Sequence, residues 1–358
     1  MKDIRILAIN PGSTSTKIAI YNNTKFAFLK NIKHSASELS RFRDISGQYE
    51  FRKKFITDEL KDAGIDLNSF SAVIGRGGLV KPIKSGVYEV NQAMLDDLRA
   101  GIQGEHASNL GGLIAHDIAS SIAGARAFIA DPVVVDELED VARVTGHPLF
   151  ERRSIFHALN HKAVGRIHAG SINKSYNELN LIIAHLGGGI SVGAHCRGRV
   201  IDVNNALDGD GPFSPERSGS LPAGCLAKIC FDPRYSLDEV KRMITGNGGL
   251  MAYFNTNNAY EIEMRAKDGD PKAILIQNAM SYQVGKEIGA MAAVLKGRVD
   301  TIILTGGIAH NPALVDYIKD MVSFIAPVVV YPGEDEMKAL AMNALMVMTG
   351  KIKPATYI

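Results

Sequence analysis

Cysteine is scarce in this chain, and its scarcity closes off two kinds of architecture. Cys196, Cys225 and Cys230 are the three in 358 residues. They have no C-x-x-C spacing and are too few for a disulfide framework, so they are expected to be buried thiols in a reducing compartment and not metal ligands. Charge of one sign is equally lacking. A net charge of +2 creates no strong field, which removes the compositional case for nucleic acid or an anionic membrane as partner and leaves a small ligand as the expectation. Long apolar runs are missing too: no stretch reaches the roughly 18 residues that a membrane-spanning helix requires. The chain enters a strand pattern at once, without a charged-then-apolar leader, and a cytoplasmic protein is expected.

What the chain has is length and alternation. At 358 residues it exceeds one ordinary core, and 46% hydrophobic with 22% charged residues suits a folded protein of two domains. The runs "IRILAI", "KIAIY", "AVIGRGG", "PVVVDE", "LNLIIAHLGGG", "SVGAHC", "TIILTGG" and "APVVVYPG" read as short strands. Longer stretches of helical period, such as "NALMVMTG", separate them, which predicts an α/β chain with mixed sheets. Residues 35 to 65 carry few strand signals and are predicted to be a helical excursion covering a sheet.

An internal near-repeat is the informative feature. "RILAINPGSTSTKIAIYNNTKF" and "LIIAHLGGGISVGAHCRGRVI" share an apolar strand, a polar residue at its end (Asn10, His185), a Gly/Ser/Thr turn and a second alternating strand. Two hairpins of one design, about half a chain apart, predict a duplicated domain. A third glycine corner, "TIILTGGIAHNPALVDYI", differs in opening a helix, with Asn311 expected as N-cap and Pro312 at the first helical position. Singly, each loop is a tight turn of the kind glycine serves anywhere. As a set of three they present backbone N–H groups where side chains are absent, which is suited to a polyphosphate.

These residues resemble the acetate kinase branch of the superfamily that includes sugar kinases, actin and heat-shock ATPases, and within it the enzymes that act on butyrate. The resemblance covers essentially the whole chain. Its carriers are "INPGSTSTKIAIY", "RGG" at 76 to 78, "DPVVVDELEDVA", "SIFHALNHKAVGR", "AHLGGGISVGAH", "DVNNALDGDGPFSPERSG" and "LTGGIAHN". It implies two duplicated ribonuclease H-like domains of the actin-like ATPase kind, each a mixed five-stranded sheet flanked by helices, with the active site in the cleft between them. The first domain would be 1–136 plus 339–358, and the second, nucleotide-binding, 137–338. The implied reaction converts ATP and butyrate, or another C3–C5 or branched acid, to ADP and the acyl phosphate, reversibly and in line. The implied partners are that acid, ATP/ADP and Mg²⁺, with a homodimer or higher homo-oligomer expected. Acetate or propionate as substrate, or a paralogue that binds nucleotide without turnover, are the alternatives.

The chemistry sets what such a site contains. A carboxylate is ionised near pH 7, so its phosphorylation needs no general base. Cations and hydrogen-bond donors must instead position two anions and neutralise the oxygens of the group in transit. The resemblance assigns Arg76 and Arg217 to the carboxylate and the transferring phosphoryl group, and His157 to a donor on the planar phosphoryl. Asn10, Ser13, Ser15 and Lys17 would hold phosphate from one loop, and His185 with Gly187, Gly188 and Gly189 from the other. Gly306 and Gly307 would hold the adenosine.

His157 and His161 are four residues apart, as in a zinc helix, but "HALNH" lacks the glutamate and a third ligand, so His161 is expected to be structural. For Mg²⁺ the candidates are Asp136, placed at the end of the predicted strand "PVVV", where a helix N-cap role competes, and Glu336, by match to the family. Where relatives carry a "TNDAR"-like stretch this chain has "NTNNAYEIE", with Asn258 and Tyr260 replacing the acid and the arginine, and Tyr260 able to stack on adenine. Gly77 and Gly78 stand where acetate kinases have bulky residues. That absence is expected to leave space for a ligand and to lengthen an apolar pocket, favouring acids longer than acetate.

Overall fold

The structure is a computed structural model, and it describes residues 3–358. The chain forms two compact units: the stretch up to Val135 together with Asp335–Ile358, and Asp136–Glu334. Each is an α/β unit around one mixed sheet.

In the first unit the strands are β1 (Arg5–Pro11), β2 (Ser15–Asn22), β3 (Lys25–Lys33), β4 (Ala72–Arg76), β5 (Val87–Glu89) and β6 (Arg126–Ala130). They lie in the order β3-β2-β1-β4-β6-β5. β1 to β3 form an antiparallel meander, after which β4 joins β1 and β6 joins β4 in parallel. β1 is buried from Ile6 onward, because helices Asn109–Ser120 and Glu336–Met348 both pack on it. A strand covered on both faces has to be apolar at every position, which is why "ILAI" shows no alternation.

The second unit repeats this plan with β7 (Asn180–Leu186), β8 (Ile190–Cys196), β9 (Arg199–Val203), β10 (Thr301–Gly306) and β11 (Val328–Pro332). The order is β11-β10-β7-β8-β9, again a meander followed by two parallel additions. Alternate residues of β7 serve two cores. Leu181 and Ile183 pack with Val164, Tyr176 and Ile303 on one face, while Ile182, Ala184 and Leu186 pack with Met280, Val284 and Ile288 of helix Pro271–Val294 on the other. Each fully buried aliphatic side chain contributes about 1.5–3 kcal/mol, so this strand anchors its unit. Even the meander irregularities correspond, with a register shift at Ile20/Tyr21 in one unit and at Ala194/His195 in the other.

The duplicated α/β plan is as expected, with one strand more than expected in the first sheet, since β5 adds a sixth at its edge. Helix Tyr49–Asp62 occupies the anticipated helical excursion. Two expectations fail. "PVVVDE" is not a strand: β6 is the preceding "RAFIA", and Asp131 then turns into the left-handed region at φ 39°, its carboxylate accepting from Ser85 Oγ and the Gly86 N–H. The cysteines are not buried either. Cys225 and Cys230 lie exposed on helix Ala223–Cys230, which buries no residue, and Cys196 is half-buried at the end of β8.

Candidate active site

The first hairpin holds its polar residues at the mouth of the sheet. Asn10 pairs with Lys17 across β1 and β2, and the turn between them closes through the Gly12 N–H on Ser15 O at 2.7 Å. Asn10 is buried, whereas Ser13 and Lys17 are exposed and Ser15 is half-buried. Asn10 Nδ2 donates to Glu336 Oε2, and Arg76 Nη1 donates to the same oxygen at 3.2 Å. Asn10, Arg76 and Glu336, far apart in sequence, therefore meet in this unit. Glu336 lies in the first turn of helix Glu336–Met348, where a carboxylate is favoured by the helix dipole.

The second hairpin is arranged around an arginine. The Gly187 N–H donates to Gly189 O at 3.1 Å, and Ser214 Oγ donates to Gly188 O at 2.7 Å. A Cβ built on Gly189 would lie 1.8 Å from Arg217 Nη1 and 3.3 Å from His157 Cε1. Glycine is thus required here by close approach: the guanidinium lies against the loop, next to the imidazole. Arg217 Nη1 donates to Ala206 O at 2.7 Å, while its Nε is buried and has no hydrogen-bond partner among the described residues. Burial lowers the Arg217 pKa from its usual value, and Glu216 counters part of that shift. His157 stacks on His185 with ring centroids 3.9 Å apart, and His185 Nδ1 is 2.9 Å from Asn160 Oδ1.

Behind His157 runs a buried relay. His157 Nδ1 meets Ser191 Oγ at 2.9 Å, and that hydroxyl meets His161 Nε2 at 2.9 Å. His161 Nδ1 is then 3.1 Å from His195 Nε2, and His195 Nδ1 is 2.5 Å from the Tyr176 hydroxyl. Both inner histidines are fully buried, which pushes their pKa values well below 6.5; His185 and Lys162 press on His161 in the same direction, and His161 and Lys162 on His195. Each neutral ring carries one N–H, so the chain has a single polarity. With the Tyr176 phenol donating at the far end, Ser191 would donate to His157 Nδ1 and leave the His157 proton on Nε2; with the phenol accepting, every step reverses. The i, i+4 pair of histidines is explained by this relay through Ser191.

The third corner is built as its sequence predicts. Asn311 accepts from the Leu314 N–H and Pro312 opens helix Pro312–Val322. Gly306 adopts φ 91°, with a would-be Cβ only 2.3 Å from Leu186 O, so the corner folds onto the end of β7; Gly307 faces open space. Asn258 caps helix Ala259–Lys267, accepting from the Tyr260 and Glu261 N–H groups, and Tyr260 is exposed. Asn257 Nδ2 reaches Glu216 Oε2 at 3.2 Å, tying this segment to the neighbour of Arg217.

Asp136, Gly77 and Gly78 have neighbours that their sequence context does not reveal. Both oxygens of Asp136 accept from Arg143, at 2.6 and 2.7 Å, and Oδ1 also from the Leu138 N–H, so this carboxylate holds a loop. Gly77 and Gly78 open no pocket. Both are buried, and a Cβ on Gly77 would lie 2.6 Å from Pro132 Cβ and one on Gly78 2.5 Å from Asn109 Cα. A side chain at either position would meet the chain's own Pro132 or Asn109. Sequence reasoning missed Ser191, His195, Tyr176 and Arg52. Arg52 alone left a trace, as a cation in register with Ile56 and Leu60 on the apolar stripe of its helix.

The sequence profile of the Acetokinase family matches residues 143–325. Over 353 residues, 99% of each chain, the sequence is 55% identical to Butyrate kinase 2 and 54% identical to Butyrate kinase 1 of Clostridium acetobutylicum. The chain belongs to the acetokinase family. Its fold is also that of the acetate kinase of Porphyromonas gingivalis, with a TM-score of 0.79 at 19% identity, covering 96% of this chain and all of the other. At that identity the match speaks for the fold alone. No helix among the described residues is long and apolar enough to cross a membrane.

Proposed function

We infer that this chain is a short-chain carboxylate kinase that transfers the terminal phosphoryl group of ATP to butyrate or a closely similar acid, reversibly. The observation that carries this reading is 55% identity to Butyrate kinase 2 along 99% of both chains. The site chemistry supports it independently. Each unit carries cations and hydrogen-bond donors at its glycine hairpin, the residue types that a reaction with an already ionised nucleophile requires. Arg217, held against Gly189, would neutralise the oxygens of the phosphoryl group in transit, and His157 Nε2–H would donate to them. Arg76 and Asn10 of the first unit, with the hydroxyls of Ser13 and Ser15 and the Lys17 ammonium, would serve the same reaction by binding carboxylate and phosphate.

In the first unit the oxygens of Asn10 and Glu336 are of the hard kind that suits Mg²⁺: Asn10 Oδ1 is buried with no hydrogen-bond partner among the described residues, and the Glu336 carboxylate, which now accepts from Asn10 and Arg76, would have to yield an oxygen to the ion. Glu336 and Asn10 would hold it, and when bound it supplies charge neutralisation of the phosphate oxygens. Asp136, already committed to Arg143, is assigned to loop structure. Gly187, Gly188 and the Gly306–Gly307 corner would take the rest of the nucleotide, with Asn258 and Tyr260 at the adenosine end. Hydroxylamine trapping with Mg-ATP across C2 to C5 acids tests the reading. Hydroxamate should form most rapidly with the C4 acid, and no hydroxamate from any acid, in a protein that binds ATP, would reject it.

A further inference from the structure

Beneath the first hairpin lies a guanidinium that forms no ion pair among the described residues. Arg52 is completely buried in helix Tyr49–Asp62. Its Nη1 donates to Gly12 O at 2.7 Å, Ser15 O at 3.2 Å and Thr16 Oγ1 at 3.2 Å, and Nη2 donates to Ser13 O at 3.1 Å. Gln48 Oε1, also buried, accepts from Nε at 3.0 Å and Nη2 at 2.8 Å. Every donor is used, and none of the partners carries charge. Burial brings the guanidinium pKa down to about 10, which still leaves it charged at neutral pH. A buried cation with hydrogen bonds but no counter-charge is destabilising, so its presence calls for an explanation.

The consequence for the loop is directional. Arg52 and the Gly12 and His34 N–H groups engage the carbonyls of Gly12, Ser13, Thr14 and Ser15 from within. The N–H groups of Ser13 and Thr14, both exposed, donate to no partner among the described residues, nor do the hydroxyls of Ser13 and Ser15. A turn whose carbonyls are taken up from within, whose exposed N–H groups and hydroxyls remain available and which has a positive charge beneath it is suited to an anion. Resting on the reading of this hairpin as phosphate-binding, we propose that Arg52 is a positioning residue for it and that the bound phosphoryl anion is the counter-charge the buried guanidinium lacks.

Gln48→Glu separates charge from structure. The carboxylate has nearly the same shape and accepts the same hydrogen bonds, but it neutralises Arg52. Calorimetric affinities for ATP and adenosine, with thermal melts, are compared between this variant and the wild type. The expected variant melts at or above the wild-type temperature, binds adenosine unchanged and loses about tenfold in ATP affinity through the lost field. A folded Gln48→Glu with an undiminished preference for ATP over adenosine overturns the proposal. Should it not fold, Arg52→Lys and Arg52→Met decide: lysine keeping the ATP preference while methionine loses it upholds the counter-charge, and both keeping it refutes it. Lys17→Ala checks the underlying reading separately. If that variant retains the full ATP preference, the hairpin is not the phosphate subsite, and both readings fail for a reason unrelated to Arg52.

Discussion

The two hairpins share a strand plan and differ in what supports them. The turn of β1–β2 rests on a buried cation, Arg52, which takes its carbonyls. The turn of β7–β8 rests on neutral groups, His161 and His195 in a relay through Ser191, and carries its cation, Arg217, against its glycine. Duplication preserved the backbone and the register shift, and left side-chain chemistry free to diverge. In the first loop charge acts from below and hydroxyls face outward. In the second, the loop has no side chains and the cation lies against it.

Glycine substitutions test this contrast most sharply. Gly189→Ala places a methyl within the Arg217 guanidinium and should lower kcat/KM by about 10³, the cost of losing one transition-state donor. Gly12→Ala would meet only Ser15 O at 3.4 Å and Ser15 Oγ at 3.8 Å, and should retain activity within about tenfold. Steady-state kinetics of both variants settle it; equal losses would show that the loops do not differ as described. Arg217→Ala should match Gly189→Ala in kcat/KM while leaving the circular dichroism spectrum unchanged.

Gly78→Ala follows in size, as an effect on stability. Its methyl would press on the Asn109 backbone, and overpacking of this kind costs about 1–3 kcal/mol, to be seen as a lower urea midpoint. If acids longer than butyrate instead became poorer substrates with stability unchanged, Gly78 would line a pocket after all.

Acid should expose the neutral relay. The buried rings of His161 and His195 have pKa values well below 6.5, the value each takes on when unfolded. Below about pH 6.5 the unfolded chain binds protons that the native chain refuses, so this contribution to stability is complete above that pH and is lost as pH falls. Two such groups give a slope of up to about 2.7 kcal/mol per pH unit. His34, whose pKa is lowered by burial and then by Arg52, adds one such group to the first unit. Urea unfolding between pH 7 and 5 should show a shallower acid loss in His195→Gln; an identical slope would mean that the relay histidines are already charged in the native state. The smallest effect expected is that of Tyr176→Phe. It removes the terminal donor and should lower kcat a few-fold, about 1 kcal/mol, while shifting the His157 ¹⁵N resonances toward a mixed tautomer.

The legible part of the site was its local part. A strand, a glycine turn and a second strand are written in consecutive residues, and so is the Asn311–Pro312 helix start, so the hairpins and corners could be placed from periodicity and turn chemistry. Asp136 shows the limit. Its carboxylate beside an apolar run suggested a ligand, but that run turns, and Arg143 occupies both oxygens. Gly77 and Gly78 show another, because a missing side chain reads the same whether ligand or backbone fills the space.

Residues adjacent in the chain are enough to specify the α/β class, the duplication and the three glycine corners. The partners emerge only in the folded chain: Asn10 and Arg76 on Glu336, Arg217 against Gly189, Arg52 under the first loop, and Ser191 between two histidines. Asn10 and Glu336 are 326 residues apart, and no spacing rule reaches across that distance. Their meeting follows from helix Glu336–Met348 packing on β1, and burial then makes each unpaired donor or charge costly enough to fix its neighbour.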